Sequence, residues 1–275
     1  MRPAQHPPRG GTNARHARRA ALGFGAGIGL LGGLIGLGGA EFRLPVLVRF
    51  FRYPLKRAIL LNLAVSLVTV LTGAVVRLAS GSGARLAADT LPVIGAMIAG
   101  GMLGALKGSA WLTAASEGNL RRVVQVLLSG IGGLLIAEAF IMGPSTGLVH
   151  SLPGRMVVGV IAGFFIGVVS SLLGVAGGEL IIPVLVLVFG VGIKPAGTAS
   201  LLISIPTILV SLRRHATTGD LFIRLDLRSL VAPMSIGSVV GATAGGLLVA
   251  YTPGATLKVL LGLLLLGSAV KMFSE

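Results

Sequence analysis

Two stretches decide how this chain is read: GLGGAEFRLP, Gly36 to Pro45, and GVAGGELIIP, Gly174 to Pro183. Each sets a glycine cluster and a single glutamate inside a long apolar segment, where a helix neither breaks nor carries charge without cause. The pair implies two broken segments that meet inside a membrane and form a binding site.

The surroundings of these stretches fix the class. Hydrophobic residues make up 54% of the chain, charged residues 11%, and the mean hydropathy is +0.95. Several windows of about 20 residues carry almost no charge, the length at which a helix spans the hydrocarbon core. They lack the two-residue alternation of a transmembrane barrel. The fold class is therefore all-α, a polytopic integral membrane protein in contact with the lipid bilayer. The formal charge of +15 would suit nucleic acid, but the basic residues lie between apolar runs and in the first 20 positions, the pattern that orients a membrane protein. Cysteine is absent, which excludes disulfides, thiolate chemistry and cysteine-ligated metal. The four histidines are scattered, and no nucleophile motif or phosphate loop is present. No cofactor, no metal and no enzymatic activity are expected.

The chain repeats itself. A gapless shift of 138 residues lays Ile28–Arg77 on Ile166–His215 with 17 identities in 50 positions, including Gly39/Gly177, Glu41/Glu179, Pro45/Pro183, Lys56/Lys194, Ser66/Ser204 and Thr69/Thr207. Farther on, the register moves to 141 residues, pairing Pro92 with Pro233, Gly100 with Gly241 and Gly104 with Gly245, and then to 136. The organisation expected is a disordered basic tail (1–20), a first half (21–142), a connecting loop (143–155) and a second half (156–273). Each half holds a glycine-broken segment, either a helical hairpin or one long broken helix, and three transmembrane helices: 58–78, 90–112 and 123–142, then 196–212, 230–251 and 257–273.

Positive charge bears on the relation between the halves. If each glycine-broken segment crosses the membrane once, 13 Lys and Arg fall on the tail side and 9 opposite; if each turns back, the halves are inverted and the partition is 17 against 5. The positive-inside rule favours inverted repeats with the N-terminal tail cytoplasmic.

A glycine-rich motif closed by proline, placed once at the start of each half of an eight-segment protein, resembles the sulfite exporter TauE/SafE family, also called the toluene sulfonate uptake permease family. The resemblance covers about residues 21 to 273, and Ala40 and Ala176 stand where that family usually has glycine. It implies a permease of the bacterial inner membrane that moves a small anion such as sulfite, an organosulfonate or a related sulfur-containing or carboxylate anion.

The motif carries its own chemistry. Gly36, Gly38 and Gly39, with Gly174, Gly177 and Gly178, leave backbone amides uncovered, and the half-helix that follows each break presents an N-terminus that favours an anion. Glu41 and Glu179 are either capping carboxylates or titrating groups that couple protons to substrate. Two ionised glutamates would repel an anion, so a proton or a cation has to offset them. Arg43, present only in the first copy, supplies that cation by pairing with a glutamate or by gripping the anion. One face of the next helix carries Asn62, Ser66, Thr69 and Gly73, matched by Ser200, Ser204, Thr207 and Ser211; these line a substrate path or let helices pack closely. Gly100, Gly104 and Gly108, and Gly237, Gly241 and Gly245, are assigned to packing. Arg77 and His215 end the second segment of each half, where a gate or an interfacial anchor can sit, and the anchor is the reading expected; Glu138 is expected at the interface, Lys107 snorkelling, and 213–228 as a solvated tail-side loop. The function expected is alternating-access transport of a small anion, with or without proton coupling; an anion channel or a membrane-embedded enzyme is the alternative.

Overall fold

The structure, a computed structural model, describes residues 11–81, 86–111, 129–130, 132–133, 136–137, 147–149, 151–173, 176–216 and 230–273. Gly174, Glu138, most of the segment 123–142, the loop 217–229 and residues 1–10 of the expected tail lie outside the described residues, as do the side chains of Gly108 and His215.

The described residues are helical. The first half runs through α1 (Gly11–Ile35), α2 (Ala40–Pro45, prolonged by a π-helical turn Val46–Phe50), α3 (Leu55–Ser80) and α4 (Leu91–Trp111). The second runs through α5 (Leu152–Leu173), α6 (Gly178–Pro183, prolonged by a π turn Val184–Val188), α7 (Ile193–Ala216), α8 (Ala232–Leu248) and α9 (Gly254–Phe273). Arg57–Ser80, Leu152–Ser171 and Ile193–Arg213 are long and apolar enough to cross a membrane, with shorter apolar helices at Leu91–Lys107, Ala232–Leu248 and Gly254–Gly267. Since α1 begins at Gly11, Arg15, Arg18 and Arg19 belong to a helix and not to a structureless tail.

Glycine pairs the helices. On α1, Gly25, Gly29 and Gly33 lie against the backbone of Met234, Ser238 and Ala242, while Gly237, Gly241 and Gly245 of α8 lie against Leu22, Ala26 and Leu30. Residue numbers rise together, so α1 and α8 are parallel. The same motif joins α4 to α5: Gly100 and Gly104 meet Val160 and Phe164, and Gly163 and Gly167 meet Met97 and Gly101. A side chain at these positions would strike backbone, which is how small residues hold helices together where lipid removes the hydrophobic driving force. These contacts match Gly100 to Gly237 and Gly104 to Gly241, a shift of 137. The 141-residue register suggested by Pro92 and Pro233 is thus one helical turn off, because a glycine ladder every fourth residue aligns equally well after slipping one rung.

Two further pairings position the breaks. Leu61 and Val65 of α3 share a core with Leu230, Val231 and Met234, and Gly246 lies against Val76 and Arg77. Thus α3 is parallel to α8, and therefore to α1. Two successive parallel helices need a return between them, and α2 provides it. Gly39 sits against Ile28, and farther along Phe50 and Phe51 stack edge-on against Phe24 at 5.1 and 6.5 Å. The second half repeats this: Gly177 lies by Ile166 and Ser170, and Phe189 lies under Arg155 at 6.0 Å. Of the two shapes open to each broken segment, the contacts are those of a hairpin. Between α3 and α7 the order reverses, with Arg77 on Lys194 and Thr198 and Gly73 on Leu201.

Candidate functional site where the two breaks meet

The end of α1 is set by Gly36. Its φ of +99° places it in conformations that a side chain resists, and Gly36 and Leu37 both donate to the Gly32 carbonyl at 2.9 Å, a Schellman-type stop. The chain restarts from a left-handed glycine in both halves, Gly39 (φ +66°) before α2 and Gly177 (φ +74°) before α6. Pro45 and Pro183 then remove an amide, and the helices widen into π turns directly after them, the local adjustment that a missing donor demands.

The two breaks touch. Gly36 is pressed on the backbone of Gly197, a Cβ on Gly178 would stand 3.1 Å from Leu37 Cδ2, and a Cβ on Gly38 would stand 2.5 Å from that of Ala176. The carboxyl groups of Glu41 and Glu179 lie against each other, each with Oε1 enclosed and without a donor. Two carboxyl groups approach this closely only with a proton between them or a cation beside them.

A cation lies nearby: Arg43, two residues after Glu41 on α2, is fully buried. Its Nη1 donates to Ser66 Oγ at 2.8 Å and Asn62 Oδ1 at 3.5 Å; Nη2 donates to Thr69 Oγ1 at 3.1 Å and Ser238 Oγ at 3.5 Å. Three of these acceptors pass hydrogen bonds on to backbone: Asn62 to Ala40, Thr69 to Val65 and Ser238 to Gly25. Such chains polarise one another, and they hold the guanidinium without a formal counter-ion among its hydrogen-bond partners. Its Nε remains buried and unpartnered.

In the second half Ile181 replaces Arg43, and the matching hydroxyls are left differently. Ser204 donates to the Ala176 carbonyl at 2.8 Å and Thr207 to Ile203 at 3.0 Å, whereas Ser200 is buried with no partner. Ser170 on α5, facing the same break beside Gly177, is also buried without a partner, as is Ser171, one helical turn after Gly167. Buried hydroxyls are normally satisfied, so this group of orphaned donors, with Arg43 Nε and the two carboxyl oxygens, marks where a polar ligand or water would sit.

The structure thus brings together Gly36, Gly38, Gly39, Glu41, Arg43, Asn62, Ser66 and Thr69 with Gly177, Gly178, Glu179, Ser200 and Ser204; Thr207 bonds within its own helix and lies by Gly101. Gly73 packs on Leu201 and does not join them. Sequence reasoning missed Ser238, Ser170 and Ser171. Ser238 interrupts the α8 glycine ladder, and the serine pair replaces Gly32 and Gly33 of the first half; both were visible signals. It also misplaced Arg77, which is buried at 1% exposure and is no interfacial anchor, because its guanidinium caps the carbonyls freed where α1 stops.

Glycine-laddered helices, broken hairpins and a buried polar centre define a multi-pass helical membrane protein. The family model described as "Sulfite exporter TauE/SafE" matches residues 1–135 and 159–275, and the chain belongs to that family. A curated relative, a probable membrane transporter protein of Methanocaldococcus jannaschii, is 30% identical over 118 residues, covering 41% of this chain and 43% of the relative. The similarity therefore spans less than half the length of that relative. No solved structure matches the chain.

Proposed function

We propose that this protein is a secondary transporter that carries a small anion, sulfite or a related sulfonate or carboxylate, across the bacterial inner membrane by alternating access coupled to protons. The observation that carries this reading is the contact of Glu41 with Glu179 beside the buried charge of Arg43. Counting charges gives the coupling. With one proton shared between the carboxyl groups, the pair and Arg43 sum to zero; a second proton leaves a net positive centre that accepts an anion, and its loss expels one. Arg43 Nε and the orphaned hydroxyls of Ser170, Ser171 and Ser200 supply donors for the anion's oxygens. The reversed contact order of α3 and α7, the matching helices of the two halves, supports inverted repeats, and the charge partition supports a cytoplasmic tail.

Proteoliposomes loaded in turn with sulfite, thiosulfate, sulfonates and small carboxylates test this. Saturable flux of one anion that follows an imposed pH gradient is the expected result. Glu41→Gln and Glu179→Gln each abolish the response to the gradient. Conductance without saturation, or unchanged pH dependence in both variants, overturns the reading.

A further inference from the structure

We infer that Arg77 is the latch of the gate on the membrane face opposite the tail, tying the end of α1 to the start of α7. This rests on the alternating-access reading above. Arg77 projects from the last turns of α3 into the seam between the halves. Its Nε donates to Gly33 O at 3.0 Å and Nη2 to Leu34 O at 2.8 Å, both carbonyls released because α1 stops at Ile35. From the other half, Lys194 O and Thr198 Oγ1 each accept from Nη1 at 3.3 Å. Among the described residues no carboxylate takes part. A planar fork with a permanent charge is suited to bridging several carbonyls at a helix C-terminus, where the helix dipole favours a cation.

The bridge lies over the place where the Gly36 and Gly197 backbones are pressed together, so opening a path there requires these hydrogen bonds to break. The repeat shows why this face differs from the other. On the tail side the residues matching Gly197 and Arg77 are Ile59 and His215. A branched side chain at 59 prevents the same backbone approach. Ile59 keeps part of its surface exposed, whereas Gly197 is buried. The described residues thus show a latch opposite the tail, and Ile59 replaces the glycine that would be needed for the same backbone contact on the tail side.

Because the chain has no cysteine, single thiols report this without background. Ile35→Cys places one behind the latch, and Ile59→Cys places one at the tail-side counterpart. In sealed membrane vesicles of each orientation, a membrane-impermeant maleimide should modify Ile59→Cys from the tail side and leave Ile35→Cys protected. Adding Arg77→Gln should raise Ile35→Cys modification from the opposite face by about tenfold or more and lower that of Ile59→Cys, since each 1.4 kcal/mol of latch energy shifts the equilibrium tenfold. Arg77→Lys should fall between, and Thr198→Val, which removes one acceptor and leaves the arginine in place, should shift both in the same directions by about twofold to fivefold. No shift in the Arg77→Lys and Thr198→Val proteins, or a rise at both thiols together, overturns the latch. If both thiols already react from their own faces with Arg77 intact, the carrier reading fails with it. Loss of anion specificity alone would leave the labelling pattern unchanged.

Discussion

The two broken hairpins share a backbone and differ in where they keep their polarity. Both restart from a left-handed glycine, Gly39 and Gly177, and both widen into a π turn after proline. In the first, Arg43 is locked by Asn62, Ser66, Thr69 and Ser238; in the second, Ile181 takes its place, and Ser200 by Gly178 and Ser170 by Gly177 are left without partners. One copy supplies a fixed charge and the other supplies free hydroxyls. A duplicated scaffold thus holds a site that neither half could form alone, and exchanging residues between the copies shows which differences matter.

The largest effect is expected from moving the charge. Arg43→Ile removes two short charge-assisted hydrogen bonds, worth about 1.5 to 3 kcal/mol each, and the buried cation near the glutamates. Flux in proteoliposomes should fall by about 100-fold or more. Adding Ile181→Arg should not restore it, because the matching positions offer Ser200 in place of Asn62 and Gly101 in place of Ser238. Recovery in the double variant would mean that the halves are interchangeable and the asymmetry incidental.

A second exchange tests whether the breaks fit each other. The Cβ of Gly38→Ala would stand 2.5 Å from that of Ala176. Since neither atom can retreat without moving backbone, the variant should lose about 1 to 3 kcal/mol of stability, as overpacked cores do. Combining it with Ala176→Gly returns the same pair of side chains in the opposite order and should recover most of the melting temperature in detergent. If the double variant is as unstable as Gly38→Ala, each break is shaped by its own half.

Much of this was legible in the sequence, and particular residues show where legibility ended. The duplicated glycine-glutamate-proline motif located the breaks, and the i, i+4, i+7 spacing of Asn62, Ser66 and Thr69 placed them on one face, which Arg43 occupies. Ser238 lies 195 residues from Arg43, and its role depends on the parallel packing of α8 against α3, which no local pattern encodes. Arg77 was read as an anchor because it ends an apolar segment; its burial follows from the stop of α1 after Ile35, which leaves carbonyls for it to cap. The glycine ladders gave the packing faces and not the register, since a four-residue repeat cannot distinguish a shift of 137 from one of 141.

A smaller effect separates ligand donors from structural ones. Removing an unpartnered buried hydroxyl relieves a desolvation cost of about 1 to 3 kcal/mol, so Ser170→Ala and Ser200→Ala should leave the melting temperature unchanged or raised. Transport should nevertheless fall, with the apparent KM rising several-fold for each. The counterpart Asn62→Ala, which strips a donor from the Ala40 carbonyl, should lower stability and transport together. Were Ser170→Ala destabilising, its hydroxyl would have to satisfy a group within the fold.

The smallest effect lies at the mouths of the hairpins. The first is closed by the apolar stack of Phe24, Phe50 and Phe51. At the second, Phe189, the counterpart of Phe51, lies under Arg155, whose Nη1 also donates to Asp89 at 3.1 Å beside a cleft of about 180 Å³. That hydrogen bond holds the Asp89 carboxyl below the ordinary carboxylate range. A depressed folded value means that the folded chain binds this proton more weakly than the unfolded chain. The stabilisation is therefore present above the unfolded value of about 4 and is lost as pH falls through the lower folded value. With the Asp89 side chain 64% exposed, the pair contributes under about 1 kcal/mol. Asp89→Asn should lower the melting temperature slightly at pH 7, and the difference should shrink as pH falls below the unfolded value of about 4 and in high salt. Phe51→Leu, at the matching mouth, should show a difference that neither pH nor salt removes. If Asp89→Asn instead changes anion flux at pH 7 as strongly as Arg43→Ile does, the second mouth belongs to the transport path and the division of labour between the hairpins extends to their entrances.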